Sequence, residues 1–179
     1  PRSSAPSVGT LVPKNMRDPI EAALSTLEND FGSLDEFVAE ALEFDPDTLR
    51  RNFSAEQVDA LALAINNAAK GRGFIIGDQT GVGKGRVVAA MIRYALVRGK
   101  VPIFVTEKPN LYADMIRDLD DIGLADELGL ERGASGILIT NGSETIPYTL
   151  LRTQDGEVTE SALNLRAPAS GKALDARLQ

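Results

Sequence analysis

The sequence predicts an α/β fold, a parallel sheet that carries a phosphate-binding turn, preceded by a small helical element. Three observations predict it. Between residues 73 and 140 the short apolar runs "GFII", "VPIFV" and "GILIT" alternate with helix-patterned stretches. That order, strand–helix–strand–helix–strand at this spacing, implies parallel strands joined by right-handed crossovers. Between the first run and the helix after it lies a glycine-rich turn with a lysine, "GDQTGVGKGR", residues 77–86. Before residue 70, apolar residues recur at helical rather than strand spacing.

Composition narrows the chemistry. The 179 residues are 43% hydrophobic, enough to bury a core. Against 19 Lys and Arg stand 26 Asp and Glu, a net charge of −7, which argues against broad electrostatic binding of nucleic acid while leaving room for a local basic groove. With no Cys and no His, disulfides and thiolate metal sites are excluded, and the commonest general base is absent. No apolar run approaches the roughly 20 residues of a membrane span, and no signal-peptide core opens the chain. A cytoplasmic protein without a membrane partner is the expectation.

Taken in order, residues 1–19 carry Pro, Ser and Gly with little periodicity and read as a tail or extended arm. Ile20, Ala23, Leu24, Leu27 and Phe31 mark a helix stopped by Gly32, and Ser33 caps a second one with Leu34, Phe37, Val38, Ala41 and Leu42 on its apolar face. Pro46 breaks that pattern, closing an N-terminal region over 1–52. The acidity of these two helices reads as solvated faces. Within 53–140, Ser54 sits three residues before Gln57 and fits a capping box, with Val58, Leu61, Ala62 and Ile65 behind it. The glycine-rich turn then opens a helix from about Gly83 to Arg98. After "VPIFV", Asn110 is expected to cap a helix through Leu111, Met115, Ile116, Leu119 and Ile122, whose Asp118, Asp120 and Asp121 read as a solvated face. Residues 141–179 read as a loop or poorly ordered tail, with a hairpin possible around Asp155-Gly156.

The turn meets the structural demands of a phosphate loop. Such a loop needs a buried strand to deliver it, glycines that let backbone N–H groups converge on an anion, a lysine, and a helix starting there. "FII" supplies the strand, Gly81 and Gly83 the freedom, and Lys84 the cation for β- and γ-phosphate. Two letters depart from G-x-x-x-x-G-K-[ST]. Asp78 stands where Gly is usual and tolerates turn geometry. Gly85 stands where a Ser or Thr hydroxyl ordinarily ligates Mg²⁺, and Thr80 lies on the wrong side of Lys84 to replace it directly. Nucleotide binding is expected of Thr80, Gly81, Val82, Gly83, Lys84, Gly85 and Arg86; the metal ligand is unknown.

"GDQTGVGKGR" resembles motif I of superfamily 2 helicases. It is more similar still to the strawberry-notch helicase family and its phage relatives, the DarB-type defence-against-restriction proteins, which carry Gly and then Arg after the lysine, as Gly85 and Arg86 do here. The resemblance runs from about Leu11 to Gly123 and includes "LVPKNMRDPIEAAL", "FSAEQVDALALAI" and "VTEKPNLYADMIRDLDDIG". It implies an incomplete RecA-like P-loop domain, ATP with Mg²⁺ as cofactors, DNA and the remaining domains of a longer protein as partners, and a host-cell cytoplasmic or virion location. It also implies that Lys84 is the catalytic lysine and that Gln57 reads the adenine edge, for which an amide that both donates and accepts is suited. The capping box claims the same Gln57 side chain. "VTEKPN" resembles motif Ia, so Thr106, Lys108 and Asn110 are implied to touch the nucleic-acid backbone; an ordinary strand-to-helix turn explains them equally well. Arg86 faces either phosphate or a surface acid.

Hydrolysis needs a second magnesium-organising acid at a strand end, and no run of four apolar residues followed by Asp-Glu occurs. The chain therefore reads as a fragment of a helicase or translocase motor, weak in hydrolysis by itself. Two other readings compete: a small stand-alone P-loop kinase, and a non-catalytic interaction or packaging module with a vestigial loop.

Overall fold

The computed structural model describes residues 1–10, 12–77, 81–132, 136–137, 145–154 and 157–166. It divides into two units, residues 1–102 and 103–179, and each is described by itself.

The first unit is helical. α1 (Lys14–Phe31) starts after Pro13, earlier than the periodicity alone suggests, and buries Leu24 and Leu27. α2 (Leu34–Leu42) begins at Ser33, whose hydroxyl accepts from the Glu36 amide, and buries Leu34, Val38 and Leu42. The "DPDT" break is itself a helix start. α3 (Pro46–Asn52) has Asp45 as its cap, accepting from the amides of Asp47 and Thr48, and Pro46 in its first turn, where the missing N–H costs nothing. α4 (Ala55–Ala69) buries Val58, Leu61, Ala62 and Ile65 and packs against α1, α2 and α5 (Lys84–Val97).

Two arginines of α5 and Arg98, which caps its C-terminus, tie it to the helices before it. Arg93 donates from Nε to Leu42 O at 2.6 Å and from Nη2 to Glu43 O at 3.4 Å, while its guanidinium lies 4.3 Å from the Phe44 ring centroid. Arg98 donates to Ala41 O at 3.0 Å and stacks on Tyr94. Arg86 donates to Asn52 O at 3.1 Å. The carbonyls a helix leaves unpaired at its C-terminus are thus satisfied for α2 and α3 by side chains of α5 and its C-cap.

In the second unit, α6 (Asn110–Asp121) buries Met115, Ile116 and Leu119 and packs on a hairpin of β1 (Thr145–Gln154) and β2 (Glu157–Arg166). The strands pair antiparallel from Thr145↔Arg166 to Gln154↔Glu157. Ile146, Tyr148 and Leu150 alternate into the core, and Leu165 of β2 joins them. The buried Tyr148 hydroxyl donates to Leu130 O at 2.6 Å. Arg152 binds Asp120 at 2.8 Å and also pairs with Glu131. The strands flank residues 155–156, where the sequence allowed a hairpin within the stretch otherwise read as loop or tail. One expectation changes: Asp120 is an ion-pair partner rather than part of a solvated face. The expected turn at Asp155-Gly156 lies outside the described residues.

The parallel sheet is not formed among the described residues, whose one sheet is this antiparallel hairpin. Residues 73–77 and 101–106 join no strand ladder. Ile75 is 91% exposed, and Val101, Ile103 and Val105 are 88%, 85% and 81% exposed. Parallel strands are stable when both faces are covered, and the described residues leave these runs without that cover. Of "GILIT", only Gly136 and Ile137 are described. No described helix is long and apolar enough to cross a membrane.

Candidate functional site

The site is built where the first turn of α4 meets the trailing half of the glycine-rich loop. Ser54 and Gln57 form the expected capping box. The Ser54 Oγ accepts from the Gln57 amide at 3.4 Å, and Gln57 Oε1 accepts from the Ser54 amide at 2.9 Å. The other end of the same amide group does something the capping box does not require. Gln57 Nε2 donates to Val82 O and to Gly83 O, each at 3.1 Å. One side chain therefore closes a helix N-terminus with its oxygen and ties the loop to that helix with its nitrogen.

The loop accommodates this through glycine. Gly81 and Gly83 have φ of 96° and 75°, a region costly for residues with a Cβ. A Cβ on Gly83 would fall 2.4 Å from Gln57 Nε2. Gly83 stands immediately before α5, whose N-terminus carries no side-chain cap. Its first amides, the partial positive charge of the helix and the half-buried Lys84 at its first position form the donor set an anion needs. This donor set fits a nucleotide phosphate.

Magnesium fits less well. Gly85, the second residue of α5, has no side-chain oxygen, and among the described residues no group of carboxylates is arranged to hold a metal ion. Thr80 and Asp78 lie outside the described residues. Arg86 donates one guanidinium nitrogen to Asn52 O at 3.1 Å.

The implied nucleic-acid contacts belong to the second unit and are described there alone. Lys108 and Asn110 are exposed, and Thr106 is half-buried. Asn110 is the first residue of α6 rather than its cap; Pro109 precedes it, and no side chain caps the helix. Lys108 O and Pro109 O instead accept from the amides of Leu111 and Tyr112 at 3.1 and 3.0 Å. Phe104 meets Tyr112 edge-on, with centroids 5.9 Å apart.

Sequence reasoning missed the loop-facing half of Gln57 and the role of the acids around it. The spacing Ser54-x-x-Gln57 identifies the box, but no local pattern shows that Nε2 reaches a loop 25 residues on. A family model described as P-loop containing NTP hydrolase pore-1 matches residues 36–140. No curated protein and no solved structure matches the chain.

Proposed function

The chain belongs to the P-loop containing NTP hydrolase pore-1 family, and from that premise we propose that it is the ATP-binding part of a superfamily 2 DNA helicase or translocase of the phage antirestriction kind. Nucleotide binding follows from the family. The finer reading is supported above all by the pairing of Gly85 and Arg86 after Lys84. Gln57 lies beside the loop with its two Nε2 hydrogens on the carbonyls of Val82 and Gly83, so reading adenine requires it to exchange those bonds for the base.

In this reading Lys84 and the first amides of α5 hold the phosphates, and Gly81 and Gly83 give the backbone its close approach. Gln57 sits at the junction of base and loop. No hydrolytic step is assigned to the described residues, because they offer neither a carboxylate cluster nor a hydroxyl after the lysine. The exposed β-branched faces at 75 and 101–105 are read as strands of the nucleotide-binding sheet that require further strands and helices for cover. Thr106, Lys108 and Asn110 are read as contacts to the DNA backbone.

Calorimetric titration with a non-hydrolysable ATP analogue tests this, using the native chain and Lys84→Ala with and without Mg²⁺. Binding that weakens at least about tenfold on losing the lysine is expected, as for loss of a charge-assisted phosphate contact. Equal binding by both proteins, or none by either, overturns the nucleotide-site reading. Binding indifferent to Mg²⁺ would place the metal outside this site.

A further inference from the structure

Residues 2–9 run as an arm across the first unit, held by carboxylates through five backbone amides and the side chains of Arg2, Ser4 and Ser7. Asp59, only 7% exposed, accepts from the amides of Arg2 and Ser3 at 2.8 and 3.0 Å. Asp35 accepts from the Ser4 amide at 3.0 Å. Glu56 accepts from the amides of Val8 and Gly9, each at 3.1 Å, and from the Ser7 hydroxyl at 2.5 Å. Five backbone N–H groups are thus donated to three carboxylates. The Arg2 guanidinium adds Glu28 and Ser25 at 2.7 and 2.9 Å. Of the arm's apolar side chains, Ala5 is buried while Val8 is 61% exposed. Apolar burial contributes little to this seat.

Two features make the arm more than a surface strand. First, two of its three carboxylates, Asp35 and Glu56, are half-buried rather than buried, so water can take up what the arm releases there, while the buried Asp59 is the anchor that resists release. Second, its last anchors lie in the turn that supports the loop. Pro6 O accepts from the Ala55 amide at 3.0 Å, so the arm grips Ala55 and Glu56, the first two residues of α4. The third is Gln57. Helix N-termini fray, and a first turn held from outside loses less order than one held by its cap alone. Whatever fixes Ala55 and Glu56 also narrows the positions from which Gln57 can reach Val82 and Gly83.

We propose that residues 2–9 are a releasable strap and that Glu56 is a positioning residue: its grip on Val8 and Gly9 orders the first turn of α4, which orders Gln57 and the phosphate loop. The strap raises nucleotide affinity by paying in advance the ordering of that turn. This rests on the nucleotide-site reading for its effect on affinity, but not for its effect on the loop.

Two variants of the 179-residue chain test it. Glu56→Ala removes the acceptor. Gly9→Pro acts on the arm alone, deleting an N–H that Glu56 holds and forbidding the φ of 71° found there. Amide hydrogen exchange is measured without nucleotide, ATP-analogue affinity by calorimetry, and melting temperature by circular dichroism. In both variants, residues 2–9, the α4 first turn and residues 81–86 are expected to exchange faster. Affinity is expected to fall about fivefold, the scale of one lost net hydrogen bond, and the melting temperature to fall in Glu56→Ala, which loses the bonds from Ser7, Val8 and Gly9. Fast exchange in the arm combined with native exchange at 81–86 overturns the proposal. A native chain that binds no nucleotide defeats the functional reading instead, and exchange at 81–86 still decides whether the strap orders the loop.

Discussion

Gln57 Nε2 and Gly83 occupy one space: the nitrogen donates to Gly83 O at 3.1 Å, and a Cβ on Gly83 would lie 2.4 Å from that same nitrogen. Helix α4 can reach the phosphate loop only because residue 83 has no side chain. Its φ of 75° makes the same demand independently.

Gly83→Ala therefore carries two penalties. The left-handed backbone costs about 1–2 kcal/mol for a residue with a Cβ, and Gln57 must give up its loop bonds to avoid the methyl group. The clash is with the end of a flexible side chain, so the protein is expected to fold, with a lower melting temperature and nucleotide binding reduced further than stability. Thermal unfolding and calorimetry on the same sample check this. Native affinity in a folded Gly83→Ala protein would show that the tie is dispensable.

Ser54→Ala and Gln57→Ala separate the two halves of the Gln57 amide. Both break the capping box, at about 1 kcal/mol of stability each. Only Gln57→Ala also frees the carbonyls of Val82 and Gly83. Similar unfolding midpoints are expected, with nucleotide affinity markedly lower in Gln57→Ala alone. Gln57→Glu sharpens the comparison, since it keeps the acceptor for the Ser54 amide and loses the donor. Equal affinities for Ser54→Ala and Gln57→Ala would reduce Gln57 to a cap.

Arg93→Met tests how the helical element is joined to the helix that follows the loop. Methionine preserves much of the apolar stem but loses the donors to Leu42 O and Glu43 O and the cation over Phe44. Glu43, with φ of 52°, is left-handed without being glycine, and Arg93 helps to hold it there. The expected loss is about 2 kcal/mol, combining charge-assisted bonds and a partly desolvated cation–π contact. A lower urea midpoint with an unchanged slope is the expected result.

What could be read from the sequence follows the range of the interactions. The Ser54–Gln57 box, the Ser33 cap and the lysine at the start of α5 are set by neighbours within four residues, and the structure contains each. α3 went unread because its single buried residue, Leu49, gives no periodicity; its cap Asp45 and first residue Pro46 are the same letters that read as a break. Asp120 looked solvated until Arg152, 32 residues later, came to it. The alternating exposure of Val101, Ile103 and Val105 matches a strand pattern, but a pattern cannot supply the strands that must lie beside it. The arm was least legible of all, since five backbone N–H groups help to hold it, every residue except proline has one, and their acceptors lie 31 to 57 residues away.

Acid is expected to release that arm in a defined window. Burial alone would raise the Glu56 carboxyl, but the Ser7 hydroxyl and the amides of Glu56, Val8 and Gly9 outweigh it and bring it from 4.5 to about 2. Asp35 is likewise lowered from 3.8, the hydrogen bonds from Ser3 and Ser4 overcoming its burial. A carboxyl with a lowered native pKa contributes its full stabilisation above its unfolded value and loses it as pH falls toward the native one. Glu56 therefore holds the arm fully above about pH 4.5 and progressively less toward pH 2. Asp59 has the opposite sign: burial raises it despite the amides of Arg2 and Ser3, so its protonation relieves a cost and softens the transition at the far end of the arm. Amide chemical shifts of Val8 and Gly9, followed by NMR from pH 6 down to about 1.5, are expected to move together with a midpoint well below 4.5 in the native chain and to lose that titration in Glu56→Gln. A midpoint at or above 4.5 would mean that the arm does not hold the ionised Glu56.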